Sequence, residues 1–246
     1  MVTEVAKAGR SVPAKETPDT KKFGKSPLNM AALAAAVIAF GFVGYWVVAG
    51  DSVRGAKRDP AEAQNQVRLN ATLRSAGAGD WVKADAETKE MMRSAPVPPQ
   101  GDRKLAQAQN AEGIKALRSK DYALAIKFFG KAVGAEPGNV YWIDNLGYAY
   151  LRNNEIPEAE RHFERALSFV PNHGVTWQNL AEAYAEHNNA SAAKAALKLA
   201  IRHSTNRRKT MDLLSKDKSG ASKAKFGLII AEVLTDVSSI PATPLK

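Results

Sequence analysis

VYWIDNLGYAYLRNNEIPEAERHFERALSFVPNH, residues 140–173, is followed without a gap by GVTWQNLAEAYAEHNNASAAKAALKLAIRHSTNR, residues 174–207. Laid one on the other, the two stretches agree at a step of 34 residues. Leu146 meets Leu180, Gly147 meets Ala181, Tyr150 meets Tyr184 and Ala159 meets Ala193. Phe163 meets Leu197, and Ala166 meets Ala200. The step carries back once more. Gly113, Ala125, Phe129 and Ala132 stand in the same columns, and Pro137 matches Pro171. Glu112 and Ala116 break the Leu and Tyr columns in the earliest copy, and Thr205 replaces the third Pro.

These columns have a physical meaning. Small residues let two helices approach closely, while Tyr, Phe and Leu fill the space between neighbouring pairs. Ser119-Lys120-Asp121 and Asn153-Asn154-Glu155 are tight turns between the two helices of a unit. Pro137 and Pro171 sit where a helix must end, and Gly138, Asn139, Asn172, His173 and Gly174 supply turn chemistry. A helix–turn–helix unit of this period resembles the tetratricopeptide repeat (TPR) family. The resemblance covers residues 106–207 as three repeats, and Trp177, Leu180, Ala181, Tyr184 and Ala193 carry much of it.

The resemblance implies an all-α solenoid that binds protein or peptide partners and performs no catalysis. It also implies that the concave surface is built mainly from the first helix of each pair. Carried over residue by residue, the lining comprises Asn110, Ile114, Tyr141, Asp144, Asn145, Tyr148, Arg152, Gln178, Asn179 and Glu182. Asn145 and Asn179 occupy one slot in successive repeats, as do Asp144 and Gln178. Asparagines so placed suit the donors and acceptors of an extended peptide backbone. The family's carboxylate-gripping variant needs Lys and Arg in slots that here hold Asn110, Asn145, Val175 and Asn179, so that variant is not expected.

Two flanks adjoin the repeats. Within residues 51–105, Gly79-Asp80-Trp81-Val82-Lys83-Ala84 resembles Lys120-Asp121-Tyr122-Ala123-Leu124-Ala125, with Pro96 as far beyond Ala84 as Pro137 is beyond Ala125. This predicts a degenerate additional copy whose first helix runs over about residues 65–77. Residues 208–238 read as terminal helices: a short one over 208–216, then an amphipathic one over 222–237 with Phe226, Ile229, Ile230, Val233 and Leu234 on one face. A solenoid exposes the apolar side of its last unit, so these helices are expected to cap it. The tail 239–246 is expected to be disordered.

Between Lys25 and Asp51 no residue is charged. Residues 28–50 therefore read as a transmembrane helix, whose apolar heart from Met30 to Ala49 would span roughly 30 Å. Val47 and Ala49 would also satisfy a signal-peptide cleavage pattern, but the apolar run is longer than such a segment needs. Arg10, Lys15, Lys21, Lys22 and Lys25 precede it, against Arg54, Lys57, Arg58 and Arg68 after it. That bias favours a cytoplasmic tail over 1–27 and an exported repeat domain. Read together with the Ala-rich span, it points to a bacterial inner membrane with the repeats in the periplasm.

The net charge of +10 is spread thinly, with +2 over residues 106–207. Nucleic-acid binding is therefore not expected. Arg202, His203, Arg207, Arg208 and Lys209 form the tightest basic cluster and read as solvated surface. There is no cysteine, which removes disulfides and thiol nucleophiles. No phosphate-binding loop, Ser/His/Asp motif or His-x-x-x-His pair occurs, so no enzyme, cofactor or metal is predicted. His173 and His187 read as solvated turn residues. The sequence thus predicts a membrane-held scaffold for an envelope complex, such as secretion, pilus or cytochrome maturation machinery. A receptor or chaperone-like factor for unfolded or targeting peptides is the alternative.

Overall fold

The computed structural model describes residues 60–219 and 224–241. The segment 28–50 and the tail 1–27 lie outside the described residues. Among the described residues no helix is long and apolar enough to cross a membrane. Ten α-helices follow one another among the described residues. The first five are α1 (Pro60–Gly77), α2 (Trp81–Arg93), α3 (Arg103–Arg118), α4 (Tyr122–Ala135) and α5 (Val140–Arg152). Then come α6 (Ile156–Phe169), α7 (Gly174–Glu186), α8 (Ala190–Arg202), α9 (Arg207–Ser219) and α10 (Ala224–Thr235), with a short 3₁₀ turn at Val237–Ser239.

The hairpins α3–α4, α5–α6 and α7–α8 are the three repeats. Each closes the same way. Lys120, Asn154 and Asn188 hold the left-handed conformation, with φ of 62°, 65° and 63°. Asp121 N donates to Ala116 O at 2.9 Å, Glu155 N to Tyr150 O at 2.9 Å, and Asn189 N to Tyr184 O at 2.8 Å. This is the Schellman closure, which satisfies the last carbonyls of the first helix. Asp121 and Asn189 then cap the second helix by accepting from Leu124 N at 3.0 Å and Ala192 N at 3.1 Å. Glu155 makes no such bond; Pro157 in the first turn of α6 needs no amide partner there.

The small-residue column is where helices touch. A Cβ on Gly113 would stand 2.5 Å from the Phe129 ring, and one on Gly147 would stand 2.7 Å from the Phe163 ring. The third repeat holds Ala181 with Leu197, a larger small residue opposite a less bulky partner. Ala125, Ala159 and Ala193 are wholly buried.

The upstream hairpin α1–α2 has the turn expected of a repeat: Gly79 is left-handed at φ 78°, and Asp80 caps α2 through Lys83 N at 3.1 Å. Its first helix is longer than expected, beginning at Pro60. The hairpin expected as a degenerate additional copy is present, but it does not stack on its neighbour in sequence. Instead of preceding α3–α4, α1 lies across α6 and α8, with Leu69 and Leu73 in the core of the later repeats. Asn65 donates to Ser168 O at 3.2 Å. The reason is visible in the first repeat. The slots that in α7 hold buried Thr176, Trp177 and Leu180 hold Ala108, Gln109 and Glu112 in α3. Such a polar end needs no neighbour, and the apolar face of α1 finds the back of the array instead.

At the other end α10 packs on α8 and α7, burying Phe226, Ile229, Ile230 and Val233. The helices α4, α6, α8 and α10 begin 34 residues apart, at Tyr122, Ile156, Ala190 and Ala224, so α9–α10 keeps the repeat's register. Its packing differs, because α10 rather than α9 makes the main contact with α8.

The basic cluster is corrected in part: Arg208 and Lys209 are exposed as expected. Arg202 and His203 are buried. Arg202 Nε donates to Asp85 Oδ1 at 2.8 Å, and a second bond joins its Nη2 to Asp85 Oδ2. Its guanidinium lies 5.4 Å from the centre of the Trp81 ring, and Trp81 Nε1 donates to Ser239 O at 2.9 Å. Arg207 donates to Val237 O at 2.8 Å. Ile240 is buried too, so the first residues of the expected tail are packed. Helices far apart in sequence are thereby tied together, and the array is not held by nearest-neighbour contacts alone.

Candidate protein-binding groove

Consecutive first helices approach closely enough for their side chains to bond. Asn145 Nδ2 donates to Asn110 Oδ1 at 2.8 Å, and Asn179 Nδ2 donates to Asp144 Oδ2 at 3.0 Å. The second bond repeats the first one period later. On the opposite side, α1 packs on both α6 and α8. First helices drawn together on one side, with second helices backed by an added helix on the other, make the surface of α3, α5 and α7 the concave one.

Of the expected lining residues, bonds and ring contacts join Asn110 to Asn145, Asp144 to Asn179, and Arg152 to Glu182 and Tyr148, while Ile114 packs against the core. The asparagines expected to be free for a ligand each give one amide bond to the neighbouring repeat. Their carbonyl oxygens remain as acceptors. Arg152 meets Glu182 at 3.1 Å and lies 4.7 Å from the centre of the Tyr148 ring. Burial works against the Arg152 charge, but Glu182 and Tyr148 outweigh it and its pKa is raised. The Arg152–Glu182 pair joins α5 to α7 within the groove.

Asp144 is only 7% exposed. Burial pushes its carboxyl pKa upward, against the steadying effects of Thr176, His173 and Asn179. His173 is not a plain turn residue: it precedes α7, its Nδ1 meets Thr176 Oγ1 at 2.7 Å, and its ring meets Tyr141 edge-on at 5.5 Å. Burial lowers the His173 pKa despite Asp144 nearby. His187 likewise has a partner, Glu160 at 2.9 Å.

Asn110 is buried, whereas Ile114, Tyr148, Gln178 and Asn145 are half-buried. Tyr141 and Val175 are the open apolar side chains, 62% and 59% exposed. They occupy the same slot in α5 and α7, 34 residues apart. Sequence reasoning that looks in this slot only for a cation passes over Val175. The signal that finds it is the step itself, since a large apolar residue in the slot of Tyr141 lies on the same helix face.

The family model of the tetratricopeptide repeat matches residues 141–173, the whole of α5 and α6 but one residue. Residues 141–173 are thus a tetratricopeptide repeat. Among solved structures, this chain is similar to that of a MamA mutant, at 22% identity and a TM-score of 0.39. That likeness covers 58% of this chain and 98% of the other. No curated protein matches this chain by sequence.

Proposed function

We propose that this protein is a non-enzymatic scaffold that captures an extended segment of a partner protein in the groove of α3, α5 and α7. The observation that carries this reading is the pair of amide bonds from Asn145 to Asn110 and from Asn179 to Asp144. They hold a row of polar oxygens in register along the groove, beside the open side chains of Tyr141 and Val175. An extended backbone offers matching donors at regular intervals, and pre-set side chains lose little entropy on binding it.

The uncharged stretch 28–50 supports attachment to a membrane, and the Lys/Arg bias supports an exported repeat domain. In this reading the protein serves assembly of an envelope complex. The receptor alternative shares the groove but has many transient clients. Crosslinking in membranes, followed by purification, separates the two: a few stoichiometric partners favour the scaffold, and a broad set of extended clients favours the receptor. The protein is expected to stay with membranes through salt washing. Recovery as a soluble chain beginning at Gly50 would overturn the anchor.

The groove itself is tested with Asn145→Ala combined with Asn179→Ala. The expected loss of affinity for the captured partner is about 1–3 kcal/mol per buried contact. Both changes also remove bonds between repeats, so the loss must be read against melting curves. Unaltered affinity in a folded double variant would remove the groove as the binding surface.

A further inference from the structure

The groove's charges are unequally matched. Glu182 has Arg152 at 3.1 Å. Asp144, in the middle of the same surface, makes no ion pair with a Lys or Arg among the described residues: Asn179 donates to its Oδ2, Thr176 and the His173 imidazole stand near, and Oδ1 is buried without a well-formed hydrogen bond. The amides around it present oxygens, because Asn145 and Asn179 each turn an NH₂ group toward the preceding repeat. Tyr141 stands three residues before Asp144, on the same face of α5, with most of its ring in the open. Tyr148, one turn further on, already carries a guanidinium 4.7 Å from its ring centre. Amide oxygens, a buried carboxylate with one oxygen unbonded and no Lys or Arg paired to it, and an exposed aromatic ring together describe a place for a cation.

We propose that the groove selects an extended peptide segment bearing a lysine or arginine, whose charged end settles between Tyr141 and the carboxylate of Asp144. This rests on the groove being the binding surface and names the chemistry of what enters it. The incoming cation supplies the counter-charge that Asp144 lacks. A carboxylate-bearing segment would meet oxygens and a negative centre, and is rejected.

The test uses the full chain in detergent and pools of end-capped peptides in which one central position is fixed as Lys, Arg, norleucine or Glu. Binding is read by fluorescence anisotropy for the unaltered protein, for Asp144→Asn and for the Asn145→Ala, Asn179→Ala pair. Asp144→Asn keeps the size of the side chain and an oxygen for Asn179. Its melting curve and helical spectrum establish that it is folded. The expected result is that Lys and Arg pools bind about tenfold more tightly than the norleucine pool, and Glu more weakly still. In Asp144→Asn the ratio of Lys or Arg binding to norleucine binding shrinks to near unity, whatever the level of norleucine binding. Equal binding of all pools, or a Lys preference untouched by Asp144→Asn, overturns the inference. If the Asn pair still weakens every pool in that case, the groove remains the binding surface. Binding that neither variant alters overturns both readings, as does the absence of binding by every pool.

Discussion

Gly147→Ala isolates what the small-residue column does. A Cβ at this position would stand 2.7 Å and 2.9 Å from two atoms of the Phe163 ring, and 3.2 Å from His162 Cβ. Ordinary contact between carbons is about 3.5–4.0 Å, so the ring must retreat by roughly 1 Å. Phe163 is wholly buried among close-packed neighbours and has no space to enter. Overpacking of this kind costs about 1–3 kcal/mol. Against it stands the helix preference of Ala over Gly, about 1 kcal/mol. The net expectation is a loss of up to about 2 kcal/mol. The third repeat suggests the rescue, because there Ala181 stands in the column opposite Leu197. In a Phe163→Leu background the clash with the ring is relieved and the 3.2 Å approach to His162 Cβ is left to oppose the helix preference, so the cost of Gly147→Ala should fall to near zero. Denaturant unfolding of the four members of the cycle, followed by circular dichroism, gives the coupling. Additivity within about 0.5 kcal/mol would refute the pairing of Gly147 with Phe163.

Three further outcomes follow from the same structure. Lys120→Gly should stabilise by about 1 kcal/mol, since Lys120 holds φ 62° without the freedom of glycine, and a fall in melting temperature would contradict this. Asp85→Ala should cost about 2 kcal/mol by leaving the buried Arg202 short of its carboxylate, and an unchanged unfolding midpoint would show that α2 is not tied to α8. Burial, with Arg161 and Arg165, holds the His162 pKa down to about 3, so the folded state keeps the ring neutral while the unfolded chain binds a proton below about 6.5. Stability from this group is present above that pH and is lost as pH falls toward the folded value, so His162→Leu should flatten the acid limb of the melting-temperature profile. An equal slope in both proteins would count against it.

The repeats are legible in the sequence because their determinants are local. Turn residues at Lys120, Asn154 and Asn188, capping residues at Asp121 and Asn189, and the Gly, Ala and Phe columns all act within one hairpin or between adjacent ones. The α1–α2 hairpin shows where locality ends. Its turn chemistry matches a repeat and identifies the element, but its docking depends on which apolar surface is left open. That surface belongs to α6 and α8, about a hundred residues away. Arg202 misleads for the same reason. Five basic residues within eight positions look solvated, but a carboxylate from α2 and the carbonyls of the C-terminal turn are brought to Arg202 and Arg207. In the groove, the positions of the lining residues can be read from the step. The bonds among them cannot, because Asn145 reaches the slot before its own in the previous repeat.

The added elements explain why function is assigned to the groove. A solenoid of three repeats has four surfaces to account for: two ends, a back and a front. In the first end, Ala108, Gln109 and Glu112 replace the buried residues of later repeats, and Glu112 pairs with Lys115 at 2.6 Å. The last end is covered by α10, with Lys194–Glu232 and Lys198–Asp236 pairs along its edge at 2.5 Å and 2.9 Å. The back is covered by α1, locked by Asn65 and by the Arg202–Asp85–Trp81 cluster. Each covering satisfies a surface that would otherwise need a partner. Single apolar side chains such as Val67, Val82 and Leu228 are exposed on the covering helices, but on the front Tyr141 and Val175 are open in the same slot of successive repeats, beside carbonyl oxygens fixed in register. Apolar side chains left exposed in register, beside polar oxygens on the face where first helices converge, are the reason the proposed capture of a partner is placed there and not on the back or the ends.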